Sequence, residues 1–140
     1  MEGLIRLLFP RATVVTPNLP EAETLTGMPG APRRELAERL VELGAAAALV
    51  TGGHGDTAVD HLFDGTVHIE LPVERYDIPA THGAGCTHSA TLAALLARGL
   101  SLPDAARGAS EAASAAVRNG LAEIGAGEGP VDILNVKGRA

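Results

Sequence analysis

The sequence predicts an α/β fold in which helices pack on a sheet with parallel strand pairs. Three observations carry this. Two short runs, the β-branched ATVVT at 12–16 and AAALVTGG at 46–53, are unbroken by charged residues, the pattern of strands covered on both faces. Helical patterns lie between and after them, and strands separated by helices argue for layers with parallel pairs. The apolar fraction, 46%, is ordinary, but it is built from Ala, Val and Leu, with no Trp, one Tyr and two Phe. Such a core closes only when methyl-rich helices approach a sheet tightly.

Each element follows from local signals. GLIRLLF at 3–9 reads as the end of an amphipathic helix, stopped by Pro10. The ATVVT run is bounded by Pro17. LPEAETLTG then reads as a short helix with acidic residues in its first turn, where the helix dipole favours them, and Gly27 as its end. PRRELAERLVELGA is a longer helix: Pro32 suits its first turn, Leu36, Leu40, Val41 and Leu43 share a face, and Gly44 stops it. The AAALVTGG strand ends in a glycine pair. TAVDHLFDGTVHIELPV alternates and turns at Asp64-Gly65, a strong hairpin signal. A helix is expected from about Cys86 to Arg98, with Gly99 as terminator. The next has Ser101 as N-cap, Pro103 in its first turn and Asp104 three residues after the cap, and it ends near Gly120. GAGEGPVDIL is a glycine loop leading into a tail. No repeat or linker divides the chain, so residues 1–140 read as a single domain.

The formal net charge is −6 and the charges are dispersed, with one lysine, Lys137. Without a basic stripe there is no case for nucleic-acid binding. A single cysteine excludes an internal disulfide and a cysteine-built metal site. The histidines at 54, 61, 68, 82 and 88 lack helical metal-ligand spacing. No apolar segment reaches the ~18 residues of a membrane span, and the start carries no signal peptide, so a cytoplasmic location is expected.

Three loops carry candidate chemistry. GAGCT at 83–87 lacks the lysine of a P-loop and the third glycine of a dinucleotide fingerprint. Its glycines still allow positive φ and close ligand approach, and the N–H groups of the helix that follows converge on an anion site. A tight turn before a close-packed helix explains the same residues. Cys86 at that start, where the dipole favours a thiolate, reads as a nucleophile, a proton acceptor or a packed small residue. His88 stands where a nucleophile elbow needs glycine, which weakens the first option. TPNLPEAETLTG at 16–27 lies past a strand end, where open α/β sheets bind ligands. Asn18 and Glu21, three apart, suit the outer shell of hydrated Mg²⁺. They also suit an N-cap with a capping box, and from these residues alone that reading comes first. VTGGHG at 50–55 ends a strand in glycines beside the Thr51 hydroxyl, which fits a phosphorylated ligand or a plain loop.

Taken in order, VVTPNLPEAETLTG, LVTGGHGDTAVDHLFDG, THGAGCTHSATLAALLARGLSLPDAA and GAGEGPV resemble the C-terminal half of the hydroxymethylpyrimidine/phosphomethylpyrimidine kinases of thiamin biosynthesis. These belong to the ribokinase-like superfamily, which also contains the pyridoxal kinases. The resemblance spans roughly residues 4–133. It implies part of a layered α/β/α ribokinase-like fold and an ATP-dependent kinase using Mg²⁺. The substrate would be hydroxymethylpyrimidine and then its phosphate, or alternatively pyridoxine. Gly83, Ala84, Gly85 and Cys86 would form the anion hole for the transferring phosphoryl group, with Cys86 as base. Asn18 and Glu21 would organise Mg²⁺. Thr51, Gly52 and Gly53 would lie along the nucleotide phosphates, and Ala116 and Val117 would border the adenine. Family members commonly have Lys where Thr51 stands and Thr where Ala84 stands. Family chains are about twice as long, so the resemblance also implies a homo-oligomer or complementation by an N-terminal half. A non-catalytic nucleotide-binding remnant is the alternative from another class.

Overall fold

The computed structural model describes residues 2–52, 58–74 and 76–139. They fall into two compact units, Met1–Pro72 and Val73–Ala140.

The first unit contains α1 (Glu2–Leu7), a 3-10 turn at Phe9–Arg11, α2 (Leu19–Thr26), α3 (Arg33–Glu42), and strands β1 (Ala48–Val50), β2 (Val59–Phe63) and β3 (His68–Pro72). Glycine ends α2: Gly27 takes the left-handed conformation at φ 71°. Pro32 is the N-cap of α3 rather than part of its first turn. Leu36, Ala37 and Leu40 of α3 are fully buried with Phe9, Ala22, Ala48 and Val50, while Val41 and Leu43 pack at the margin.

The strands form one antiparallel sheet, in the order β1-β2-β3. Leu49 faces Leu62 and Asp60 faces Leu71 across it. The sequence led to parallel strand pairs. The β1–β2 connection is too short for a parallel crossover, which needs about a dozen residues. The β2–β3 turn is closed by Asp64, whose Oδ1 accepts from the N–H groups of Thr66 (2.9 Å) and Val67 (2.7 Å). Those bonds hold its carboxyl below the usual carboxylate range.

The parallel direction does occur, at the run expected to be a strand. Val15 bridges Ala48 and Asn18 bridges Thr51, both in parallel. Val15 N–H donates to Ala47 O (3.0 Å), Leu49 N–H to Val15 O (2.8 Å) and Thr51 N–H to Pro17 O (3.0 Å). The next bond of a parallel ladder would come from the N–H of residue 17. Proline has none, so pairing stays as isolated bridges and no full strand forms at 12–16.

The second unit contains α4 (Ala84–Ala97), α5 (Leu102–Arg118) and a 3-10 turn at Lys137–Arg139. The two long helices pack on each other through small residues, with Leu92, Ala105, Ala106 and Ala109 buried. Ser101 caps α5 as expected, accepting from Asp104 N–H. α4 begins two residues before the expected Cys86, because Gly83 at φ 92° turns the chain straight into the helix.

Candidate functional site

The candidate residues form two groups, one in each unit. In the first unit, Asn18 and Glu21 make a reciprocal capping box at the start of α2. Asn18 Oδ1 accepts from Glu21 N–H (2.9 Å), and Asn18 N–H donates to Glu21 Oε2 (3.0 Å). This is the architectural one of the two readings the sequence left open. It leaves Oε1 of Glu21, an exposed residue, outside the box. An apolar groove of about 650 Å³ opens beside it, lined by Leu4, Leu8, Phe9, Val15, Leu25 and Glu21 among others.

Thr51 stands next to Asn18 through their parallel bridge, so two of the three sequence motifs meet. Gly52 follows, buried, with its N–H donating to Asp60 Oδ1 at 2.6 Å. A Cβ on Gly52 would lie 2.0 Å from Val59 O, so only glycine fits. Gly53 and His54 lie outside the described residues.

In the second unit, the start of α4 is organised differently. Its N-cap is Gly83, which supplies no side-chain acceptor. Ala84 N–H donates to Thr81 O (3.1 Å) and Thr87 N–H to Gly83 O (2.9 Å). Between them, the N–H groups of Gly85 and Cys86 have no acceptor among the described residues. The two glycines do separate jobs. Gly83 needs its positive φ, whereas nothing lies within 4 Å of a Cβ built on Gly85. The next residue, Cys86, is exposed. Unclaimed N–H groups, a helix dipole and room beside the backbone together favour an anion.

The turn is braced by a segment that sequence reasoning left as a loop. His82 N–H donates to Gly129 O (3.2 Å), and Val131 N–H to His82 O (3.0 Å). One residue on, Asp132 N–H donates to Ala116 O (2.9 Å), tying the same segment to α5. Ala116 is only 2% exposed, so any contact with a ligand falls to its half-buried neighbour Val117. Gly129 is held closely here: a Cβ on it would meet Leu121 O at 2.3 Å. Asp60 was also missed, because a lone acid in an alternating strand looks like a solvent-facing residue.

The chain is similar to known proteins. The phosphomethylpyrimidine kinase family matches residues 1–132. The chain is 41% identical over 135 residues to the hydroxymethylpyrimidine/phosphomethylpyrimidine kinase of Bacillus subtilis, which covers 92% of this chain and 49% of the relative. Among solved structures it resembles the ADP complex of Bacillus subtilis pyridoxal kinase, with TM-score 0.88 and 37% identity over 97% of this chain and 53% of that one. It also resembles Staphylococcus aureus pyridoxal kinase in complex with AMP-PCP, with TM-score 0.88 and 34% identity over 94% of this chain and 50% of that one. The chain thus spans about half the length of the relatives it matches. Its fold is ribokinase-like, and the chain belongs to the phosphomethylpyrimidine kinase family.

Proposed function

We propose that this chain carries the ATP-binding and phosphoryl-transfer part of a kinase acting on hydroxymethylpyrimidine and then on its monophosphate. The observation that carries the reading is the open start of α4, in a chain of this family. Phosphoryl transfer asks little covalent chemistry of a protein; positioning and charge stabilisation supply most of the rate. The Gly85 and Cys86 N–H groups stabilise the charge on the transferring group. The substrate hydroxyl oxygen forms the new bond to the γ-phosphorus while the bond to the β–γ bridging oxygen breaks, releasing ADP. The hydroxyl proton passes to Cys86 Sγ.

Thr51 lies along the nucleotide phosphates in this reading, next to Gly52, and Val117, backed by the buried Ala116, borders the adenine. Glu21 and Asn18 fit Mg²⁺ as outer-shell partners, since the box leaves one carboxylate oxygen outside and hydrated Mg²⁺ keeps its waters. Bound there, Mg²⁺ would neutralise phosphate charge. The reading places the protein in the cytoplasm, which its lone thiol suits. It treats residues 1–140 as one domain that works with a second copy or with a chain supplying the rest of the kinase. Exposed Leu4, Leu7 and Leu8 beside the apolar groove support such a partner. A pyridoxine-type alcohol is the second reading, favoured by the two pyridoxal kinase structures.

The test is phosphoryl transfer from ATP to hydroxymethylpyrimidine and, in parallel, to pyridoxine, by the chain alone and with a complementing half. Cys86→Ala should abolish turnover and leave ATP affinity within a few fold. Turnover retained in that variant removes Cys86 as the base.

A further inference from the structure

We infer that Asp60 is a positioning residue for the nucleotide: its carboxylate fixes the backbone of Gly52 so that Thr51 is presented to the phosphates. The inference rests on the proposed nucleotide role of Thr51. Asp60 lies on β2, the central strand, and is only 4% exposed. Its strand neighbour His61 and its cross-strand partner Leu71 are buried as well. A carboxylate is rarely placed so deep unless specific bonds hold it there.

One such bond is the short one from Gly52 N–H to Asp60 Oδ1, 2.6 Å, of the strong charge-assisted kind. It acts where the chain leaves β1. Thr51 is held there from the other side, by its own N–H bond to Pro17 O. The would-be Cβ of Gly52 is blocked by Val59, the residue before Asp60. The strand end is therefore clamped between residues 17–18 and β2, with the Gly52 donor already engaged. This sharpens the role given to Gly52. Its N–H serves the clamp, and the phosphate contact passes to Thr51, whose hydroxyl is the side-chain donor at this strand end.

Binding of AMP-PCP with Mg²⁺, followed by calorimetry, and the Gly52 amide signal in ¹H–¹⁵N spectra test this together. Asp60→Ala should weaken AMP-PCP by about tenfold or more and shift the Gly52 amide upfield, while the remaining signals of β1–β3 persist. Asp60→Asn, whose amide oxygen accepts the same bond, should restore both to near wild type. In the wild-type chain the Gly52 proton should exchange slowly with and without AMP-PCP. That measurement needs no variant, so it stands even where Asp60→Ala fails to fold. Fast exchange in the free chain, with protection gained only on adding AMP-PCP, overturns the clamp. Wild-type binding that Asp60→Ala leaves unchanged overturns this inference alone. A wild-type chain that binds no AMP-PCP overturns the nucleotide reading, and the inference with it.

Discussion

Two helices of this chain begin at the edge of a paired segment, and they begin in opposite ways. α2 closes its own start: Asn18 and Glu21 exchange bonds, and the side chains satisfy the donors that a ligand would otherwise use. α4 starts on a glycine with no side-chain acceptor, and two of its donors have no acceptor among the described residues. The same backbone problem, unpaired N–H groups at a helix start, is solved internally in one case and left unsolved in the other. An unsolved start costs stability. It is kept where something else supplies the acceptor, and a phosphoryl group is such a thing.

The largest effect should come from breaking the support of the closed region. Gly52→Ala drives a methyl group into the Val59 carbonyl, a backbone group that cannot swing aside. We expect a loss of about 3 kcal/mol or more, measured by urea unfolding. A loss below ~1 kcal/mol would mean that the strand end is free to move and that the clamp is loose.

Gly85→Ala should then separate stability from binding. The new methyl group meets nothing, and alanine is the better helix former, so the fold should gain about 0.5–1 kcal/mol. The same methyl group fills the room beside the Gly85 backbone that a bound phosphate would approach, so AMP-PCP affinity should drop by about tenfold. A variant that is both more stable and equally tight would show that the open start serves no anion.

The complementary change at the closed start should behave the other way. Asn18→Ala removes the cap and should cost about 1 kcal/mol in thermal or chemical unfolding. Glu21→Gln keeps the reciprocal bond and should cost little. If Glu21→Gln nevertheless weakens the Mg²⁺ dependence of AMP-PCP binding, the carboxylate has a second role beyond the box.

Much of this contrast was legible in the sequence. Gly27, Gly65 and Gly99 all take positive φ, and each stands where the reading placed a helix end or a hairpin turn. Ser101 and Asn18 cap the helices they precede. Such signals are local, and local chemistry fixes them. What the sequence hid was long-range. The run at 12–16 reads as a strand, yet its ladder fails at one missing N–H, and that is decided by which carbonyl faces Pro17. The brace at 129–132 and the Asp60 clamp depend on chain segments meeting across many residues. The choice between capping box and metal partner for Asn18 and Glu21 rested on two bonds that composition could not distinguish.

Acid provides the mildest probe of the unit that holds the closed start. His61 on β2 bonds through Nε2 to His68 Nδ1 at 2.9 Å, and His68 Nε2 lies 3.0 Å from Glu38 Oε1 on α3. The pair joins the hairpin to the helix that covers it. Burial lowers the His61 pKa below its ordinary 6.5, and His68, Arg34 and Arg33 act in the same direction, with Glu70 opposing. A second proton on the pair would also set two N–H donors against each other. In the unfolded chain His61 binds its proton near pH 6.5, before the folded chain does. The unfolded state therefore holds more protons in that window, and stability is full above it and lost as pH falls through the folded value. Unfolding free energy measured from pH 7.5 to 5.0, a range chosen to lie about one unit or more either side of the ordinary histidine value, should fall modestly. His61→Gln should flatten that slope. A wild-type chain whose stability is level across the range would show that the histidine pair does not hold the hairpin to α3.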